Sequence, residues 1–78
     1  MKLSIEYCNV WDYLPRAASM ASELLKKYGT TINSLTLIPS GGGVFEVLHN
    51  EKIIYSKKQT GEFPELKQVT DILDRSWV

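Results

Sequence analysis

The sequence predicts one α/β domain with the element order β-α-β-β-β-α, and three observations lead to that prediction. The chain has 78 residues, enough for one hydrophobic core and too few for two. Apolar residues alternate over residues 3–7 and then recur at helical spacing from about residue 12 to residue 28. Three short apolar runs, separated by turn residues, precede a second helical pattern.

The first strand and the first helix are separated by this change of period. Residues 3–7 place Leu3, Ile5 and Tyr7 on one face, as in a half-buried strand. The helix of residues 12–28 carries an apolar stripe opposite a charged face. We expect Asp12 to be its N-cap, Pro15 to lie in its first turn and Gly29 to end it.

Three more strands are predicted at residues 32–39, 44–48 and 53–56. A run of glycines, residues 41–43, separates the first two of these strands. The connection between the last two has the length of a hairpin turn, with Asn50 as the turn residue. These two strands are therefore expected to pair antiparallel.

The final helix is predicted to begin at Pro64, which suits the first helical position, and to carry Glu65 in its first turn. Its apolar stripe consists of Leu66, Val69, Leu73 and Trp77. We expect Trp77 to pack against the core or the end of this helix.

These elements combine into one mixed sheet. A strand-helix-strand unit gives a parallel pair, and the hairpin gives an antiparallel pair. A mixed four-stranded sheet with both helices on one face satisfies both, which is a minimal thioredoxin-like arrangement. The third strand is apolar on both sides, so a homodimer through the uncovered sheet face is an expected partner interaction.

Composition excludes several classes of function. Nine basic and nine acidic residues leave no net charge, which argues against a nucleic-acid binder or a polybasic membrane binder. No apolar run is long enough to span a bilayer, and no signal peptide is visible. Cys8 and His49 alone cannot complete a zinc site. We expect a cytoplasmic, reduced domain without a metal or a resident cofactor.

Cys8 is the candidate reactive residue. It follows the first strand directly and precedes the first helix by a few residues, the place of the redox cysteine in a thioredoxin-like fold. A helix N-terminus favours the thiolate, the reactive form of the thiol. This interpretation predicts a sulfur that is at least partly exposed. The alternative is an inert thiol at the end of a strand.

Several segments resemble the selenoprotein W family, also called the SelT/SelW/SelH or Rdx group. They are Ile5-Glu6-Tyr7-Cys8, Arg16-Ala17-Ala18, Gly42-Gly43-Val44-Phe45-Glu46-Val47, Ile53-Ile54-Tyr55-Ser56-Lys57-Lys58 and Gly61-Glu62-Phe63-Pro64-Glu65. The resemblance covers essentially the whole chain. It implies a thioredoxin-like fold and a thiol oxidoreductase with Cys-x-x-Cys or Cys-x-x-selenocysteine in its first loop.

The chain departs from this motif at its second redox position, because the sequence reads Cys8-Asn9-Val10-Trp11. An indole cannot attack a mixed disulfide, so we expect no dithiol cycle within the chain. A monothiol oxidoreductase remains, in which Cys8 forms a mixed disulfide with glutathione or a protein thiol. The alternative is a redox-inactive protein-binding module on the same fold. A replaced cysteine or selenocysteine at residue 11 is a third explanation.

The predicted substrate-binding residues surround this thiol. They are Asn9 and Val10 in the first loop, and Gly41, Gly42, Gly43, Val44 and Phe45 in and after the glycine turn. We expect Gly42 or Gly43 to have a positive φ or to lie too close to the Cys8 loop for a β-carbon. Trp11 either packs over the sheet edge or forms an exposed platform for a peptide or glutathione.

Overall fold

The computed structural model describes residues 1–76. It contains the predicted strands and helices in the predicted order, and the prediction for Trp77 lies outside the described residues. The elements are β1 (Lys2–Cys8), α1 (Leu14–Tyr28), β2 (Ser34–Ser40), β3 (Phe45–His49), β4 (Lys52–Ser56), α2 (Lys57–Thr60) and α3 (Leu66–Ser76), with a 3₁₀ turn at Gly29–Thr31 after α1.

The four strands form one mixed sheet in the order β2-β1-β3-β4. β1 is parallel to β2, and β3 is antiparallel to both β1 and β4. This topology confirms the predicted thioredoxin-like arrangement. It places β1 in the interior of the sheet, with its last residue, Cys8, opposite Ser40 of β2.

The two long helices, α1 and α3, cover the same face of the sheet, as predicted. The core residues of the sheet are joined in one cluster by residues of α1 and of α3. The sheet contributes Leu3, Ile5, Tyr7, Phe45, Val47 and Tyr55; α1 contributes Ala17, Met20, Ala21 and Leu24; and α3 contributes Val69 and Leu73. Cys8 is buried but does not belong to this cluster.

Both long helices begin two residues later than the sequence predicts. The N-cap position of α1 is Tyr13, with no side-chain hydrogen bond, and Asp12 has a left-handed backbone with φ 58°. Asp12 is therefore not the N-cap. Pro64 precedes α3, where the N–H of Glu65 donates to Oε1 of Gln68 at 2.8 Å. The single turn α2 was not predicted, because four polar residues carry no apolar periodicity.

The turn between β3 and β4 confirms the predicted hairpin. Asn50 and Glu51 have φ of 51° and 71°, the pair of positive angles that a type I′ turn requires. The side chain of Asn50 also accepts a hydrogen bond from the N–H of Lys2. His49 pairs with Leu3, at the opposite end of β1 from Cys8.

No helix covers the other face of the sheet in the described part of the chain. Strand alternation places Glu6 and Glu46 on this face, and the register sets them directly opposite each other. Exposed Ile38 and Ile53 lie on the flanking strands. The β3 residues on this face are Glu46 and Leu48, so the face is of mixed polarity rather than apolar. A homodimer through it stays a prediction.

Candidate functional site

Cys8 ends β1, as predicted, but its sulfur is not exposed. The residue is 0% exposed, and the expectation of a partly exposed thiol is therefore wrong. Its N–H donates to the carbonyl of Val44 at 2.9 Å, and the next N–H, that of Asn9, donates to the carbonyl of Ser40 at 2.8 Å. Main-chain hydrogen bonds to the segments on both sides of β1 thus hold Cys8 in place at the end of the sheet.

A turn of the main chain separates Cys8 from α1. The N–H of Asp12 donates to the carbonyl of Asn9 at 3.2 Å, and the N–H of Tyr13 donates to the carbonyl of Cys8 at 3.1 Å. α1 begins at Leu14, and the bond from the N–H of Tyr13 places the main chain of Cys8 next to the N-cap residue of this helix. Activation of the thiol by the helix dipole stays a prediction.

Trp11 packs on the glycine turn and is also exposed. A β-carbon built on Gly43 would lie 2.6 Å from Cζ3 of the indole, so no residue but glycine fits there without a shift. Trp11 as a whole residue is nevertheless 62% exposed. Both interpretations of Trp11 are therefore compatible with its position, because one face of the residue packs while much of it stays accessible.

The glycine turn has the predicted backbone. Gly42 and Gly43 have φ of 68° and 71°, which confirms the requirement for glycine at both positions. Gly41 and Gly42 are exposed, whereas Gly43 is buried beneath Trp11. Backbone groups of the turn therefore lie next to the loop that carries Cys8.

The remaining predicted binding residues divide into exposed and buried ones. Asn9 and Val10 are exposed, Val10 by 79%. Val44 and Phe45 are buried, and the side chain of Phe45 belongs to the hydrophobic core. Strand alternation turns Phe45 toward the helices, whereas the carbonyl of Val44 accepts a hydrogen bond from Cys8. Their assignment as substrate-binding residues stays a prediction.

A chain of aromatic rings leads from Trp11 into the core. The ring centroid of Tyr13 lies 6.2 Å from that of Trp11 and 4.7 Å from that of Phe63. The Phe63 centroid lies 5.5 Å from that of Phe45, and each pair meets edge to face. Sequence reasoning gave no role to Phe63. Its signal in the sequence was an aromatic residue directly before Pro64, the predicted start of the last helix.

Exposed apolar side chains gather at the same end of the molecule. Val10, Trp11 and Leu14 are all exposed, and we call them the loop surface. Within residues 1–76, no helix is long and apolar enough to cross a membrane. The same residues contain no group of three or more His, Cys, Asp or Glu side chains placed to hold a metal ion.

Two titratable groups with shifted pKa values, Tyr28 and Asp74, lie where α1 meets α3. The hydroxyl of Tyr28 donates to a carboxylate oxygen of Asp74 at 2.8 Å, and the Lys27 ammonium lies 3.2 Å from the other oxygen. The hydrogen bond from Tyr28, followed by the Lys27 ammonium, holds the pKa of Asp74 below its usual range. Burial, followed by the bond to Asp74, raises the pKa of Tyr28 above its ordinary value.

Comparison with known proteins identifies the family. A Bordetella parapertussis protein of known structure is 33% identical, with a TM-score of 0.92 over 96% of this chain and 95% of that chain. A selenoprotein W-related protein from Vibrio cholerae is 32% identical, with a TM-score of 0.90 over 95% of this chain and 92% of that chain. Among curated proteins, none is significantly similar.

The model of the Rdx family matches residues 2–75, almost the whole chain. This match indicates a thiol-redox function in general terms, and it agrees with the structural similarity to the selenoprotein W-related protein. The chain belongs to the Rdx family.

Proposed function

We propose that the protein is a gated monothiol redox protein, in which Cys8 forms a mixed disulfide with glutathione or a protein thiol after the loop of residues 9–12 opens. The observation that carries the proposal is the position of Cys8. It ends β1 where the resemblance implies the redox cysteine, next to a loop whose four residues are all exposed. A cytoplasmic location, where glutathione keeps thiols reduced, is part of this proposal.

The chemistry requires one external disulfide and one external thiol over one cycle. The Cys8 thiolate attacks one sulfur of oxidised glutathione, the sulfur–sulfur bond of glutathione breaks, and one glutathione thiolate leaves. A second external thiolate then attacks the mixed disulfide and releases Cys8 as a thiolate. Trp11 supplies no sulfur, so the resolving thiol comes from outside the chain.

Few contacts hold the loop of residues 9–12 closed. The loop has few attachments: backbone bonds at Asn9, Asp12 and Tyr13, and the contacts of the Trp11 ring with Gly43 and Tyr13. α1 has no side-chain cap at its N-terminus, so no side-chain bond there resists fraying. Segments with few buried contacts open at a lower free energy than the whole domain unfolds.

The test is the rate at which intact-mass spectrometry detects a glutathione adduct under excess oxidised glutathione. We expect one adduct, formed more slowly than on an unfolded chain, and none in Cys8→Ser. Trp11→Ala removes the contact with Gly43 and should raise the rate by about fivefold or more, the effect of lowering the opening free energy by about 1 kcal/mol. Leu25→Ala is the matched control, because Leu25 is an exposed apolar residue outside the loop.

A redox-inactive binding module is the second candidate, and a specific observation favours it. The thiol is 0% exposed while Trp11 beside it is 62% exposed, so the surface offers an aromatic contact and no reactive sulfur. Exposed aromatic residues are frequent anchors at protein interfaces. If Cys8 stays unmodified in the wild type and in Trp11→Ala, but reacts after unfolding in urea, the monothiol proposal fails and this candidate replaces it.

A further inference from the structure

A cavity of about 380 Å³ lies between α1 and the segment that precedes α3, and no residue of the loop 9–12 lines it. Its lining includes Arg16 and Met20 of α1, Phe45 of β3, Phe63, Pro64 and Leu66. Its volume is near the lower end of the range for small-molecule pockets. An apolar interior with one cationic side chain is the usual composition of such a pocket.

The cation at this cavity has no acidic partner. The Arg16 guanidinium carbon lies 4.0 Å from the centroid of the Phe63 ring, and the Lys57 ammonium lies 5.2 Å from the same centroid. Among residues 1–76, neither cation forms an ion pair or a side-chain hydrogen bond. In contrast, Lys26, Lys27 and Lys67 all pair with carboxylates.

Stacking on Phe63 leaves the hydrogen-bond donors of Arg16 available. A guanidinium has five N–H donors in one plane, which match the two oxygens of a carboxylate. Phe63 itself meets Phe45 at 75°, so an aromatic body entering the cavity would find ring edges and faces to pack on. The donors of Arg16 and the aromatic lining therefore both favour a ligand that carries a carboxylate on an aromatic ring.

We propose that this cavity binds a small aromatic carboxylate, with its ring packed among Met20, Phe45, Phe63 and Leu66 and its carboxylate held by Arg16. The site is distinct from the thiol and uses no chemistry of Cys8. It is joined to the loop surface through Tyr13, whose ring contacts both Trp11 and Phe63.

The test is an NMR titration of the ¹⁵N-labelled chain with sodium naphthoate. Naphthamide, which has the same ring system without the charge, is the matched ligand. We expect saturable shifts centred on residues 16–20 and 63–66, and binding of naphthamide weaker by about tenfold, the usual effect of losing a charge-assisted pair of hydrogen bonds. Arg16→Gln should weaken naphthoate binding by a similar factor of about ten.

Controls separate this site from general attraction to cations and from the proposed thiol function. Lys26→Gln removes a charge from the same helix, and Lys26 does not line the cavity. It should change naphthoate affinity by less than about twofold. Cys8→Ser should leave the affinity unchanged, so the site stands even if the thiol proves unreactive.

Three results would overturn the proposal. One is the absence of saturable shifts at the cavity. Another is naphthamide binding as tightly as naphthoate, which would leave Arg16 without a role. The third is a set of shifts confined to the loop surface around Trp11, as expected for a docking site for polypeptides rather than a cavity for small molecules.

Discussion

The indole of Trp11 covers the α-carbon of Gly43, so closely that a β-carbon there would stand 2.6 Å from Cζ3 of the ring. Gly43 also has φ of 71°, a region that L-residues rarely adopt. Two independent restrictions therefore act on one residue. The neighbouring glycines separate the two restrictions. Gly42 shares the positive φ, but a β-carbon there would meet only Nζ of Lys58 at 3.9 Å, an ordinary contact, and Gly41 has neither restriction.

We expect alanine substitutions in the glycine turn to destabilise the protein in a fixed order. Gly41→Ala should be nearly neutral, and Gly42→Ala should cost about 1 kcal/mol for the positive φ. Gly43→Ala should cost about 2 to 3 kcal/mol, because the clash with Trp11 adds to the backbone strain. Urea unfolding of the three variants measures the differences.

A double variant checks the origin of the extra cost. In Gly43→Ala combined with Trp11→Ala, the clash is absent and only the strain of the positive φ remains. The coupling free energy between the two sites should then be about 1 kcal/mol or more. Additive effects of the two substitutions would contradict the close contact.

The Asp74 carboxylate should contribute to stability in a pH-dependent way. Tyr28, followed by Lys27, holds its pKa below the usual range, so the ionised form is favoured in the folded state. The contribution is therefore present above roughly pH 4, the ordinary aspartate range, and is lost as pH falls through the lower folded pKa. Urea unfolding from pH 7 downward should show a shallower acid dependence in Asp74→Asn than in the wild type.

A substitution at an acidic residue outside this network provides the comparison. Glu62 is exposed, and its side chain makes no ion pair in the described structure. Glu62→Gln should therefore keep the acid dependence of the wild type. If both variants lose stability less steeply at low pH than the wild type, general charge repulsion, rather than the hydrogen bond from Tyr28, determines the loss of stability in acid.

The wild type should have no dithiol reductase activity. Insulin reduction coupled to a thioredoxin-reductase system should stay at background, because one thiol cannot release a mixed disulfide by itself. Trp11→Cys restores the Cys-x-x-Cys spacing within a turn closed by the Tyr13–Cys8 main-chain bond. We expect that variant to form an intramolecular disulfide, seen in intact mass as the loss of two hydrogens. Catalytic reduction by the wild type without added monothiol would contradict this prediction.

Glu6 and Glu46 should limit self-association through the open sheet face. A homodimer on this face would bring both carboxylates of each copy out of water, at a cost in desolvation and repulsion. Glu6→Gln should therefore strengthen any dimer seen by sedimentation equilibrium. Glu51→Gln, in the β3–β4 turn, should leave the equilibrium unchanged. Equal dimerisation of the wild type and Glu6→Gln would place the interface elsewhere.

The fold was predictable because its signals are local. The period change between Tyr7 and Leu14 separates β1 from α1, and Asn50 marks the hairpin. The glycines at 42 and 43 were recognised for the same reason, since a positive φ is a requirement on a single residue. α1 begins two residues later than predicted, after Asp12, which adopts a left-handed backbone that propensity does not reveal.

The burial of Cys8 was not predictable in this way. It depends on Ser40 and Val44, which reach Cys8 only through the pairing of three strands. The position of Cys8 at a strand end suggested exposure, but β1 is an interior strand whose end is covered from both sides. The pairing of Arg16 with Phe63 has the same origin, because these residues are far apart in sequence and meet only through the packing of α1.

The interior position of β1 has a consequence during synthesis of the chain. β1 is made first among the strands, yet its partners are β2 and β3, which follow the whole of α1. Until both partners have emerged from the ribosome, the segment around Cys8 has no neighbours to bond with, and its sulfur is open to oxidants. Protection of the thiol is thus a property that the nascent chain acquires late, and slow pairing of distant segments lengthens that interval. We expect oxidative labelling of Cys8 to be greatest on ribosome-bound chains that end before β3.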